Sequence, residues 1–206
     1  MNRYRTTKYP SSTAYNTAPN KKQFSKLIEL TESLLLKHEK LLICRLNLTA
    51  EGLDDHSDIQ WLINKVKDTY KSDYYGYAWS CEWKETIGKH YHIVFFLNGN
   101  KYKSDYIAMN DVGRWWTLRN GLYYWVSRFD SSKGFINSLG ILKRSDEGKF
   151  NDVIYGLSYL CKTSQKPDSS LRLFNCTQLK SITDPTNYRR CRRIDGRAPI
   201  KMTNQK

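Results

Sequence analysis

Residues 74–97 read as a β-hairpin, and no other stretch of this 206-residue chain limits its fold so tightly. Tyr74 to Glu85 alternates in character and is rich in aromatics, as a half-buried strand is. Thr86-Ile87-Gly88 supplies a turn. Gly88 to Leu97 then runs apolar, β-branched and aromatic, the composition of a buried strand. Side chains two apart on a strand share a face. His90 and His92, two of only four histidines, thus present paired imidazoles suited to a divalent metal. Hydrogen-bonded histidines on an edge strand are the competing reading. A turn centred on Ile87 sets residue 82 opposite 92 and 84 opposite 90, which brings Glu82 beside His92. A one-residue slip would send Glu82 to the other face. Glu85 is then the alternative ligand, and a lysine-paired surface carboxylate is the alternative role for Glu82.

The flanking segments supply layers for this hairpin. Residues 22–40 carry Phe24, Leu27, Ile28, Leu30, Leu34 and Leu35 at helical spacing. A strand follows over Leu41–Leu48. Ser57 caps a helix bearing Ile59, Leu62, Ile63, Val66 and Tyr70. Ser104 or Asp105 opens another, through Trp115 and Trp116, which Gly121 ends. Short strands are expected over 122–129 and 135–142. Asn151 or Asp152 caps a last helix running to about Thr163. Strands joined by both hairpins and helices give an α+β sandwich with a mostly antiparallel sheet.

The net charge is +14 and is unevenly spread. Residues 1–40 hold 8 basic and 3 acidic side chains, residues 41–165 hold 16 and 14, and residues 166–206 hold 10 and 3. Basic flanks suit a phosphate backbone, and the 28 aromatic side chains include candidates for stacking on unpaired bases. Solubility, or an anionic membrane surface, is the alternative use of that charge. No basic amphipathic helix with a bulky apolar face stands out, so a membrane is disfavoured. Five cysteines, an odd number with no Cys-x-x-Cys, argue against a disulfide framework and a zinc ribbon. No apolar run reaches about 18 residues and no signal peptide is read, so a reducing cytoplasm is expected.

Near the end of the patterned region, Tyr155 and Tyr159 stand four apart and Lys162 follows Tyr159 by three. Among all 15 tyrosines only Tyr159 begins a Tyr-x-x-Lys. In isolation, two core rings and a solvated lysine are the better explanation.

Taken together, His-x-His on a strand, an acid on the preceding strand and a downstream Tyr-x-x-x-Tyr-x-x-Lys resemble the HUH endonuclease superfamily. HUH denotes His-hydrophobe-His, with Tyr91 as the middle residue here. Arg45-Leu-Asn-Leu resembles the Arg-x-Asp-Leu strand of the inovirus and prophage replication initiators, whose domain is also found in YagK and YfjJ. Tyr159 to Gln165 and the Trp115 helix are similar to that branch too. Asn47 departs from the usual Asp.

The resemblance covers residues 40–165. It implies a ferredoxin-like sandwich, placed here over residues 21–165; outside it, composition alone reads residues 1–20 as a flexible arm and residues 166–206 as a basic extension. It implies Mg²⁺ or Mn²⁺ on His90, His92 and Glu82. Tyr159 would be the nucleophile on single-stranded DNA, forming a 5′-phosphotyrosine and freeing a 3′-hydroxyl. Lys162 would stabilise charge there. Tyr155, followed at +3 by Ser158, would be a second nucleophile or an orienting ring. Arg45, Arg189, Arg190, Arg192 and Arg193 are DNA-contact candidates. The expected role is initiation of rolling-circle replication of a phage or mobile element. The partners would be single-stranded or hairpin origin DNA, with a host helicase and polymerase, since the chain has no Gly-x-x-x-x-Gly-Lys-Ser/Thr loop. An HUH transposase, a mobilisation nickase, and a non-catalytic DNA-binding regulator are the alternatives.

Overall fold

The structure, a computed structural model, describes residues 19–51, 55–120, 124–126, 137–166 and 172–178. Its elements in chain order are α1 (Lys21–Lys37), β1 (Lys40–Ala50), α2 (Ser57–Tyr70), β2 (Tyr74–Lys84), β3 (Gly88–Asn98), α3 (Asp105–Asn120), β4 (Tyr124–Val126), β5 (Gly140–Lys143), α4 (Glu147–Leu157) and β6 (Phe174–Cys176). A 3-10 turn, Ser158–Cys161, continues α4. The strands form one sheet in the order β4-β1-β3-β2-β6, with β5 pairing the other end of β1. Every pairing is antiparallel. The fold is α+β, a central antiparallel sheet flanked by helices, as expected.

Alternation along the strands splits the core in two. Leu41 and Ile43 of β1, Ala78 of β2 and Val94 and Phe96 of β3 face α1 and α4, against Phe24, Leu27, Leu34, Phe150 and Val153. Leu42, Cys44, Leu46 and Leu48 of β1 face the other way with Tyr91, Ile93 and Phe95, against α2 and α3. β3 is buried on both faces, so its sequence is an almost unbroken apolar run. Gly113 lets α3 meet β4 closely: a Cβ there would sit 2.1 Å from the Tyr124 ring.

Three helix boundaries follow local hydrogen bonding. Ser104 Oγ accepts from Ile107 N–H at the start of α3, as expected of a cap. Ser57 is not the cap of α2. It is the first helical residue, and Asp55 Oδ1 accepts from its N–H and Oγ–H while His56 holds the cap position. Asn151 and Asp152 do not cap α4 either. Asp146 does so one turn earlier, by accepting from Lys149 N–H. The α-helix then ends at Leu157, six residues short of Thr163.

The sheet continues past residue 165, because β6 pairs with β2 through Ala78–Ser80. At the other end Pro19 bridges Lys162, and Asn20 N–H donates to Cys161 O (2.7 Å). Cys44, Cys81, Cys161 and Cys176 are free thiols. No helix among the described residues is long and apolar enough to cross a membrane.

Candidate active site

The hairpin register puts the acid where two histidines reach it. Lys84 pairs with Gly88 across a three-residue loop, so the turn centres on Thr86 and not on Ile87. Ile87 N–H donates to Lys84 O, and Gly88 adopts φ +77. This is the three-residue hairpin loop closed by a left-handed residue, a conformation glycine takes without steric penalty. Glu82 therefore stands opposite His90, and Ser80 opposite His92. The offset from the expected register is two residues, an even number, so Glu82 keeps its face.

Three adjacent strands then lay down two polar rows. Asn47, His92 and Ser80 form one, and Thr49, His90 and Glu82 the next. Glu82 is fully buried, with His90 and His92 nearly so. Glu82 Oε2 lies 3.2 Å from His92 Nε2 and 3.5 Å from His90 Nε2. Candidate ligand atoms of all three residues lie within 4.8 Å of one another. Glu85, in the exposed hairpin loop, is not part of this group.

The far side of each imidazole is held. His92 Nδ1–H donates to Asn47 Oδ1, and His90 Nδ1–H donates to the Gly88 carbonyl (3.1 Å). Both Nε2 lone pairs are thereby left toward Glu82. Glu82 Oε1 is buried with no hydrogen-bond partner among the described residues. Two imidazole lone pairs and a carboxylate converging in a buried site fit a divalent cation.

Tyr159 and Lys162 close the site from above. The Tyr159 hydroxyl lies 3.2 Å from His92 Nε2 and 3.5 Å from Glu82 Oε2. Lys162 Nζ reaches Tyr159 Oη (2.8 Å), Gln165 Oε1 (2.7 Å) and Glu82 Oε2 (2.6 Å). Tyr155 is not in this group: no hydrogen bond among the described residues joins it to the cluster. Tyr155 is only partly buried, whereas Tyr159 is buried in the 3-10 turn. Each residue turns about 120° in a 3-10 helix, so a three-residue step keeps Lys162 beside Tyr159.

Arg45 borders the same site, with its guanidinium 4.5 Å from the Tyr159 ring centroid and Nη2 3.3 Å from His92 Nδ1. Arg189, Arg190, Arg192 and Arg193 lie outside the described residues. Asn47 and Gln165, which in the sequence stand only within the family-like segments, are site residues, and Lys166 is one that reading the sequence alone misses. Lys166 Nζ lies 3.7 Å from Glu82 Oε1 and donates to Cys81 O. Trp83 N–H donates to Gln165 O and so fixes this segment along β2.

Burial depresses the His92 imidazole to about 3, with the Arg45 charge adding to the effect. Burial by itself would raise the Glu82 carboxyl. The polar contacts of the site, with the Lys162 ammonium 2.6 Å away, overcome that and hold it well below the usual carboxylate range. Burial also lowers the Lys166 ammonium.

No curated protein and no solved structure matches the chain at a level that carries an argument. A family model does match, over residues 3–177, which takes in every element described above. The chain belongs to the YagK/YfjJ C-terminal domain family.

Proposed function

We propose that this protein is an HUH-type endonuclease that nicks and rejoins single-stranded DNA at the origin of a phage or mobile element. The observation that carries the reading is the Tyr159 hydroxyl beside His92 Nε2 and Lys162 Nζ, over a buried Glu-His-His group. Mg²⁺ or Mn²⁺ held by Glu82, His90 and His92 would polarise a phosphodiester oxygen. Tyr159 Oη attacks phosphorus, the bond to the 3′ oxygen breaks, and the phenolic proton is released as the 3′-hydroxyl forms. The product is a 5′-phosphotyrosine and a free 3′ end able to prime a polymerase. One phosphodiester is exchanged for another, so no nucleotide cofactor is consumed and rejoining is the reverse step.

The chain's own residues lower the barrier in identifiable ways. A phenol ionises near pH 10, so forming phenolate at pH 7 costs roughly 4 kcal/mol. Lys162, at 2.8 Å, stabilises negative charge on Tyr159 Oη as the proton leaves. Arg45 packs against the ring and limits its rotation. Basic flanks hold the strand by salt-dependent attraction. Unwinding and synthesis would come from a host helicase and polymerase.

The test is covalent capture. With Mn²⁺ and single-stranded or hairpin origin DNA, wild-type protein is expected to form a denaturant-stable adduct, and Tyr159→Phe none. An adduct undiminished in Tyr159→Phe would remove the assignment. No adduct on any single-stranded library would favour the non-catalytic DNA binder.

A further inference from the structure

We infer that Lys162 is a built-in counter-ion for Glu82 that a divalent cation must displace, so that loading the site redirects its ammonium to the nucleophile. The inference rests on the metal site proposed above and adds a regulatory step to it. Its starting point is that Glu82 Oε2 serves two purposes. It is the oxygen nearest both imidazole nitrogens, and it is also 2.6 Å from Lys162 Nζ.

Both charged groups are buried, Glu82 at 0 % and Lys162 at 4 % exposure. A carboxylate removed from water needs a cation or hydrogen-bond donors close by. Lys162 fills that need with the shortest ion-pair contact Glu82 makes among the described residues. A divalent cation on the same oxygen repels the ammonium, and the two positive charges are not screened by water there. Lys162 has two contacts to retain when it leaves Glu82, namely Tyr159 Oη at 2.8 Å and Gln165 Oε1 at 2.7 Å. Gln165 is fixed for this purpose by Trp83 N–H on its carbonyl. The exchange needs no backbone movement, because all three partners already surround one ammonium.

Two consequences follow. Metal affinity is set below what the Glu-His-His group alone would give, since binding must break an ion pair. The ammonium is fully committed to Tyr159 only when the site is loaded, which ties readiness of the nucleophile to metal occupancy.

The experiment is a calorimetric titration of the full chain with Mn²⁺, without DNA. Lys162→Met, which keeps the stem and removes the charge, is expected to bind Mn²⁺ about tenfold more tightly than wild type. Lys166→Met, which removes the more distant ammonium, is expected to change affinity less. Equal affinity in wild type and Lys162→Met overturns the inference while leaving the metal site standing. Absence of Mn²⁺ binding in every form removes the metal site itself, and this inference with it. A second measurement on wild type guards against a misfolded variant. The side-chain ¹⁵N signal of Lys162 should move on titration with Mg²⁺, while that of Lys101, paired with Asp73, stays fixed. An unmoved Lys162 signal at Mg²⁺ saturation also overturns the inference.

Discussion

Tyr159 and His92 meet at 3.2 Å, oxygen to Nε2, although 67 residues separate them in the chain. The contact exists because β3 carries the imidazole at the polar end of one sheet face and a 3-10 turn swings the phenol over it. Tyr155, one helical turn earlier, is only partly buried and makes no hydrogen bond to this group among the described residues.

The two tyrosines should therefore behave differently. Tyr155→Phe is expected to retain the covalent DNA adduct, with its rate within about twofold of wild type. Adduct yield on a denaturing gel, timed in single turnover, reads this directly. A Tyr155→Phe loss as complete as that of Tyr159→Phe would mean that the helix repacks when DNA binds.

Asn47 is the residue that orients His92, by accepting from Nδ1–H on the adjacent strand. Partners of this kind fix the tautomer and aim of a ligating imidazole. Asn47→Ala should weaken Mn²⁺ binding about 10- to 100-fold by calorimetry, and Asn47→Asp should recover most of it. Unchanged affinity in Asn47→Ala would show that packing alone holds the ring.

Much of this is legible in the sequence, and the gaps have physical causes. The helices over 21–37 and 57–70, the three long strands and the shared face of His90 and His92 follow from spacing alone, whereas Glu82 keeps that face only because the register differs from the expected one by an even number. The expected hairpin register is off by two because φ at Gly88, which decides where the loop closes, is not written in periodicity. The expected start of α4 falls late because Asp146, Asn151 and Asp152 are all competent caps, and only contact with Lys149 N–H selects among them. The roles of Asn47, Gln165 and Lys166 in the site come from cross-strand and edge pairing, so the family-like segments mark the first two without saying what they touch.

Gly88 gives a test of the register argument. It holds φ +77, and a methyl group added at its Cα would meet no atom within 4 Å, so the strain there is conformational and not steric crowding. Gly88→Ala should cost about 1 kcal/mol in chemical denaturation and also weaken Mn²⁺ binding, because His90 bonds the Gly88 carbonyl. A neutral effect on both would show that the loop closes equally well without a left-handed glycine.

The proposed use of the basic extension is tested by salt. On single strands, log affinity falls with log salt at about −0.7 per neutralised phosphate. Removing residues 185–206 deletes Arg189, Arg190, Arg192 and Arg193. The slope should flatten if these side chains contact phosphate, measured by fluorescence anisotropy between low and moderate salt. An unchanged slope would make the extension dispensable for DNA binding.

Stability of the metal-free protein should fall with acid, and His92 should account for a defined part of the fall. Its folded value, about 3, lies below the unfolded 6.5. Between those values the unfolded chain binds a proton that the folded one does not, so folding loses stability as pH drops. The His92 contribution is complete above about pH 6.5 and shrinks steadily toward pH 3. Each unit of difference corresponds to about 1.4 kcal/mol, so the full span is on the order of several kcal/mol. Glu82, also depressed, adds loss in the same direction, but only below its unfolded value of 4.5. His38 and His56, lowered chiefly by burial, contribute a background slope of the same sign. The difference between wild type and His92→Gln removes that background. In urea titrations with a chelator, wild type should lose stability faster than His92→Gln from about pH 6.5 to about 4.5, and the two should run parallel above about pH 7. Parallel curves through the acid range would mean that His92 accepts a proton in the folded state, and that Glu82 carries the charge balance of the site alone.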